Sequence, residues 1–542
     1  MKKIHADEFL YSPSDLVAFL GCTHSTFMDY RTLLAGEHIP VSEGESFAEL
    51  LIQKGQEHES LHFENLKSTF DDIVEISGDK PLEDQVESTL HAMASGVDVI
   101  HQAVLYESPW MGHADFLIKC DTPSDLGSYS YEVYDTKLAR DPRPEHIIQI
   151  CAYSDLLNRV QGILPTNMHL IAGDGIHHDF LVSDFYFYYL RSKLRFESFV
   201  KRSPSSSYPE PCQHCDFCQW NDTCKHQWEK DDHLSLVANI RRSQRDKLVN
   251  AGIDTMRQLA HMEPNFDVTD LDPDMKSRLR AQAALQVHKL ENKKDAYELI
   301  ESSSGKGLGR LPASAKGDLF FDIEGDPLAR GGLEYLFGVI SYDDHGEVFR
   351  HWWSHDHVQE KQTFLEFMLF LSQHLAQFPD ANIYHYNSYE TAALKRLAGR
   401  YAVCEEQVDN LLRQHKFIDL YQIARQSVRT SEPAFSLKNL EIFFGQKRDD
   451  VINSADMSVV FYHRWQESGL DKLLNDILEY NRVDCESTYL LRQWLVSLRP
   501  VDLPWFENSD EDPPEPKEWE IQYDSYRTAL SGVDDEYRDL AE

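Results

Sequence analysis

Apolar residues recur every three or four positions through LVAFLGCTHSTFMDYRTLL (16–34), directly after the capping signal SPSD, and this spacing predicts an amphipathic helix. The period then shortens. WMGHADFLIKC (110–120) and SYEVYDTKLA (130–139) have the β-branched, aromatic or alternating character of strands, separated by the turn-rich DTPSDLGS. LSLVANIRRSQRDKLVNAGIDTMRQLA (234–260) reads as two amphipathic helices around a Gly-Ile turn. Such a pair is either a helix–hairpin–helix unit, whose turn amides can hold a DNA phosphate, or a plain helical connector. ESSSGKGLGRLPASAKGD, from 301, reads as a flexible linker. Beyond it, the buried strand DLFFDIEG and the strands FGVISYD and ANIYHYN alternate with the helical KQTFLEFMLFLSQHLAQF, and the block ends in the helix LNDILEYNRVDCESTYLLRQWLVSL. This alternation predicts an α/β fold. No internal repeat is visible.

These patterns divide the chain into 1–230, a helical 231–300, a linker at 301–317, an α/β block at 318–500 and a tail at 501–542. At 542 residues, several domains are expected. No apolar run could span a bilayer, and MKKIHADEFLYSPSD lacks a signal-peptide core, so the expectation is a soluble, cytoplasmic protein without a membrane partner. The net charge of −38 opposes nucleic acid at long range, yet residues 501–542 alone hold fourteen Asp/Glu against three Lys/Arg. Part of the remaining excess suits carboxylates gathered around divalent cations. Gly305-Lys306-Gly307 lacks the following Ser/Thr and the preceding strand of a P-loop, which excludes a nucleotide-driven motor on that motif.

Two sets of residues carry candidate chemistry. In the first, Asp115 lies on one strand and Asp135 and Lys137 on the next, where i and i+2 share a face. Acid and acid-x-Lys suit phosphodiester hydrolysis with Mg²⁺ or Mn²⁺: the carboxylates hold the metal, which activates water, and Lys137 orients it or stabilises developing charge. GQEHE offers His58 as a further ligand on a helix, and HIIQICAYSDLL puts Gln149 and Tyr153 on one helical face. HCDFCQWNDTC then brings Cys215, Cys218 and Cys224 together, with Cys212 and His214 nearby. Thiolate spacing alone fits either structural zinc or an iron–sulfur cluster. Cys120, Cys151, Cys404 and Cys485 are single and read as buried thiols.

The ordered set from residue 10 to 230 resembles the RecB-like branch of the PD-(D/E)XK nucleases, in particular its iron–sulfur members, found among CRISPR-associated adaptation exonucleases and AddB subunits. That resemblance implies a restriction-endonuclease-like core, with His58, Asp115, Asp135 and Lys137 as metal and catalytic residues and Gln149 and Tyr153 behind them. It further implies a [4Fe–4S] cluster on Cys22, Cys215, Cys218 and Cys224, tying the first helix to the end of the domain. Zinc is the alternative.

In the second set, Asp322 and Glu324 alternate on one strand, and Tyr480 and Asp484 stand at i and i+4 on the last helix. This order resembles the DEDD exonucleases of the RNase H-like fold, with Glu390, after Asn387, where the family has an Asp. The resemblance implies metal binding by Asp322, Glu324 and Asp484, and water orientation by Tyr480. The expected activity is a metal-dependent nuclease acting on single-stranded or end-containing DNA, with a second 3′–5′ centre acting on DNA or RNA, in repair, recombination or phage defence. A helicase or defence-complex subunit is an expected separate partner. The competing expectations are a non-catalytic assembly subunit that uses nuclease folds to bind nucleic acid or a helicase, and a nuclease regulated through its cluster.

Overall fold

The computed structural model describes residues 1–5, 8–36, 47–202, 206–446, 448, 452 and 454–507. Most of the acidic segment expected at 501–542 lies outside the described residues.

Strands β1 (Lys2–His5) and β2 (Glu8–Leu10) lead into helix α1 (Pro13–Gly21). A reciprocal cap starts it: Asp15 N donates to Ser12 Oγ at 3.3 Å and Ser12 N to Asp15 Oδ2 at 2.7 Å. The single helix expected over 16–34 is two. Cys22 is extended, with φ −155° and ψ 107°, so it ends α1 and becomes the N-cap of α2 (Thr23–Ala35).

Helix α3 (Phe47–Lys67), strand β3 (Ile73–Glu75) and helix α4 (Leu82–Ser95) precede an antiparallel meander of β4 (Val99–Glu107), β5 (Trp110–Cys120) and β6 (Ser130–Thr136). Helix α5 (Pro144–Gln161) crosses over to β7 (Asn167–Ile171), which lies parallel to β6, and β8 (His177–Leu181) closes the edge. The sheet order is β3-β4-β5-β6-β7-β8. Alternation along β5 feeds two layers: Leu117 joins Val133, Ile150 and Leu157 on one face, whereas Phe116 and Ile118 meet Phe63 and Leu66 of α3 on the other. Helices α6 (Val182–Lys201) and α7 (Asn221–Lys230) follow.

Helices α8 (Arg242–Asn250), α9 (Met256–His261) and α10 (Pro273–Asn292) enclose their own apolar cluster around Leu248, Leu259 and Leu279. After β9 (Tyr297–Leu299), the segment expected to be a flexible linker is packed: Leu308 and Leu311 are buried in the core of the following domain. Two leucines within a Gly- and Ser-rich stretch suffice to anchor it, because burying each removes apolar surface from water.

The last block contains β10 (Leu319–Asp326), β11 (Leu333–Asp343), β12 (Gly346–Trp353), α11 (His357–Gln377), β13 (Ile383–His385), α12 (Tyr389–Tyr401), α13 (Glu405–Arg413), β14 (Phe417–Asp419) and α14 (Leu420–Ser427). It continues through β15 (Val428–Thr430), which pairs with β9, to α15 (Leu437–Phe444), α16 (Ala455–Ser468) and α17 (Asp471–Ser497). Its five-stranded sheet runs β12-β11-β10-β13-β14, antiparallel on one side of β10 and parallel on the other. Phe321 and Ile323 of β10 pack with Phe364 and Phe367 of α11, while Phe320 packs on the opposite face with Cys485 and Leu491 of α17. The whole is a mixed α/β protein. No helix among the described residues is long and apolar enough to cross a membrane.

The two sheet-bearing parts touch through α3 and α16, where Leu50 packs on Val459 and Val460 and Gln53 Nε2 donates to Glu467 Oε1 at 2.9 Å. Within the first part, Gly112 of β5 lies directly under Tyr153: a Cβ there would come within 2.7 Å of the ring. Gly112→Ala is therefore expected to lower unfolding stability by about 1–3 kcal/mol, measured by denaturant titration.

Candidate active site

Antiparallel pairing of β5 and β6 sets the first group. Phe116 faces Tyr134, which brings the preceding Asp115 level with Asp135 at the open end of the pair. Asp115 Oδ2 accepts from Thr136 N at 2.8 Å and from Thr136 Oγ1 at 2.7 Å. Asp135 is buried; its Oδ1 has no hydrogen-bond partner, and its Oδ2 is ion-paired with Lys137 Nζ. Burial, and then the charge of Asp135, pushes the Asp115 carboxyl up to about 7. Burial also raises Asp135, opposed by Lys137. Gln149 Nε2 donates to Tyr153 OH at 3.0 Å, and burial, followed by the charge of Asp135, raises the tyrosine hydroxyl.

His58 is turned to the backbone of β7, with Nε2 at 3.3 Å from Ile171 O. Its neighbour Glu59 is the residue whose charge reaches Asp115, Asp135 and Lys137. Glu59 Oε1 is 2.8 Å from His101 Nε2 and also accepts from Gln102 Nε2. Burial opposes its ionisation, but these hydrogen bonds outweigh burial and hold its carboxyl below the usual range.

At the thiol cluster, Cys22 Sγ accepts from Ser25 N at 3.4 Å, and Cys218 Sγ is 3.8 Å from Ser25 Oγ, so α2 and the C-terminal cysteine run meet there. Cys212 Sγ lies 3.8 Å from Cys215 Sγ and 3.5 Å from Gly21 O. Cys224 is buried with Trp220 and Trp228. Burial, and then the neighbouring Cys218, Cys22, Cys215 and Cys212, push its thiol up to about 12. Asp29 reinforces the junction, accepting from Trp220 Nε1 at 2.7 Å and from Gln219 Nε2 at 2.8 Å.

The second group is tighter. In LFFDIEGD the odd positions Phe321 and Ile323 go to the core beneath α11, so Asp322 and Glu324 face α17. Asp484 of α17 meets them there. Among the described residues, Asp322, Glu324 and Asp484 are the one set of three or more metal-ligating side chains whose donor atoms all lie within 4.8 Å of one another. Burial raises all three carboxyls, and Asp484 is the largest charge acting on the other two. Glu324 is pushed up to about 8. These carboxyls resist ionisation even with Arg448 beside Asp484, and an all-oxygen donor set of this kind suits Mg²⁺ or Mn²⁺.

Several groups hold these acids. Asn481 Nδ2 donates to Asp322 Oδ2 at 2.7 Å, and its amide lies over Gly338, where a Cβ would come within 1.7 Å of Asn481 Oδ1. Arg448 pairs with Asp484 and with Glu441, and Ser487 Oγ donates to Glu441 Oε1 at 2.7 Å. Tyr480 is buried, with Lys438 Nζ 5.0 Å and Arg448 Cζ 5.7 Å from its ring centre. Glu390 stands apart from the tight triad. Its Oε2 is 3.3 Å from His385 Nδ1, although its charge still contributes to the shift of Asp322. Asn387 adopts φ +75° and accepts from Ser388 N at 2.9 Å.

The sequence pattern does not single out Asn481, Arg448 or His385. Asn481 carries a usable signal, since it lies three residues before Asp484 on a helix and so shares its face. Arg448 and His385 carry none, because their partners come from other elements.

An unfolded glutamate ionises near 4.5, whereas folded Glu324 does so at about 8. The folded, metal-free protein then holds a proton that the unfolded chain has lost, so its stability falls as pH rises through that window. Calorimetry in EDTA is expected to show Tm decreasing between these pH values. Mn²⁺ should raise Tm more at pH 8 than at pH 6, because its ligands must be deprotonated. A flat profile in EDTA would contradict the assignment.

No curated protein matches the chain. A family model described as RNase_H superfamily matches residues 319–496, the span from β10 to the end of α17. The region that gathers Asp322, Glu324 and Asp484 is an RNase H-superfamily domain, a nuclease-type fold.

Proposed function

We propose that the protein is a divalent-metal-dependent nuclease with two centres. The observation that carries this reading is the close-set, largely buried triad Asp322, Glu324 and Asp484 within an RNase H-superfamily domain. Divalent ions bound there would supply a Lewis acid for water activation and neutralise charge on the phosphate. The chain's own part is positioning. Asn481 holds Asp322, Arg448 holds Asp484, and Tyr480, fixed between α17 and two cations, offers a hydroxyl near the reacting phosphate. Because burial, Asp484 and Glu324 raise that hydroxyl, it stays protonated at neutral pH and acts as a hydrogen-bond donor. Trimming from a 3′ end is the proposed mode, with Glu390 contributing through its charge.

For the N-terminal part the proposal is a RecB-like PD-(D/E)XK centre. Its support is the order of the elements, a meander of three strands followed by α5 and a parallel strand, and the unpartnered oxygen of Asp135 beside Asp115 and Lys137. Lys137 would hold a proton and stabilise charge building on the phosphate, since the Asp135 and Asp115 charges outweigh burial and raise it. Cys22, Cys215, Cys218 and Cys224 would carry a [4Fe–4S] cluster, or zinc, as a staple between α2 and the C-terminal end of the domain.

Single strands labelled at the 5′ or the 3′ end, incubated with Mn²⁺, should be shortened by the wild type. Asp322→Ala should cut release from 3′ ends by about 100-fold or more, and Asp135→Ala should do the same for the other activity. Absence of metal-dependent cleavage would favour a non-catalytic assembly subunit, to which the pairing of Glu390 with His385 already lends weight. Anaerobically purified protein should absorb near about 400 nm. Cys22→Ala and Cys218→Ala should abolish the band, and Cys212→Ala should retain it. Colourless, zinc-loaded protein would assign zinc.

A further inference from the structure

We infer that one single-stranded nucleic acid lies in a continuous groove joining the thiol clasp to the Asp322–Glu324–Asp484 acids. This inference rests on the nuclease reading and adds the path of its substrate. Three adjoining cavities make the groove. The first, about 790 Å³, lies beside the clasp and is lined by Arg143, Tyr188 and Phe217. Arg143 and Phe217 also wall the second, about 500 Å³, together with Arg140 and Tyr389. Tyr389 and Pro327 then wall the third, about 740 Å³, which opens on Asp322 and Glu324. Shared lining residues make these cavities neighbours, and together they form the proposed single passage. Its middle section is bordered by Leu138, Ala139, Arg140 and Arg143, on the loop that leaves Lys137, so the strand would run past the first centre on its way to the second.

The lining has the chemistry of a single-strand track. Phe217 is 73% exposed and Tyr188 60%, although each carries a large ring that water solvates poorly. Such rings offer stacking surfaces to bases of any identity. Arg143 is 64% exposed, and its carboxylate neighbour Glu145 is 4.0 Å away. Arg140 donates to a backbone oxygen, that of Pro327, at 3.3 Å. Guanidinium forks in such positions suit phosphate oxygens. The acids along the middle section are already paired: Asp326 with His463 at 3.0 Å, and Glu334 with Arg396, which lines the same cavity. On a chain of net charge −38, these local arginines would draw a flexible strand inward where the bulk charge repels a rigid duplex.

The test uses the full chain and fluorescent oligo(dT) and oligo(rU) from about 6 to about 30 nucleotides, in EDTA, followed by anisotropy. Affinity should climb with length until the groove is filled, at one long strand per chain. Arg143→Glu and Phe217→Ala should each weaken the longest strand by about tenfold or more. Phe217 is largely exposed, so its variant should fold, and thermal melting checks this. A strand carrying two photoreactive 4-thio bases should crosslink at one to the segment around Phe217 and at the other to that around Tyr389. Two long strands per chain, length-independent affinity, or unchanged binding by both variants would overturn the groove. Cleavage by wild type alongside unchanged variant binding would reject the groove and leave the nuclease reading standing. Length-dependent, variant-sensitive binding without any cleavage would do the reverse.

Discussion

Three carboxylates with donor atoms within 4.8 Å of one another repel, each pair by a few kcal/mol at the effective dielectric of a protein site. A chain keeps such a group together only where the surrounding fold over-determines its place. Here the apolar alternate residues of β10 anchor the strand beneath α11, and the aromatic and aliphatic second half of α17 anchors the helix against the opposite face. Asn481, seated over a glycine, and Arg448, shared with Glu441, hold the acids that the strand and helix bring together. The C-terminal architecture is the apparatus that makes this unfavourable cluster tolerable.

The N-terminal part solves a related problem with different means. Asp115 is held by the backbone and side chain of Thr136, and Asp135 by Lys137, the residue just past the end of β6. Gly112 lets Tyr153 close over that region. The thiols sit apart from these acids and join sequence ends instead, with Cys22 at the break between α1 and α2 and the other cysteines beyond α6.

Much of the C-terminal site is legible in the amino-acid pattern. Period-two alternation in DLFFDIEG and helical spacing in EYNRVDC put Asp322, Glu324 and Asp484 on separate elements with defined faces, and the fold gathers those residues. Local patterns work there because each acid's direction is set by its own strand or helix. They work less well where direction depends on a distant partner. Position on α3 makes His58 a candidate ligand, yet its ring meets Ile171 O while the adjacent Glu59 acts on the acids. Gly and Ser content suggests a free segment from 301, but Leu308 and Leu311 decide its behaviour. Periodicity over 16–34 passes smoothly across Cys22, where an extended residue separates two helices that share one hydrophobic rhythm.

The length of α17 has its own consequence. Its 27 residues make a rod of about 40 Å, carrying Tyr480, Asn481 and Asp484 near its middle and Trp494 and Leu495 towards its C-terminal end. Each residue added to a helix rotates everything beyond it by about 100°. An insertion or deletion between residues 484 and 494 would therefore set the chemical turns and the anchoring end out of phase. The rod acts as a fixed gauge: it accommodates a substitution far more readily than a change of length.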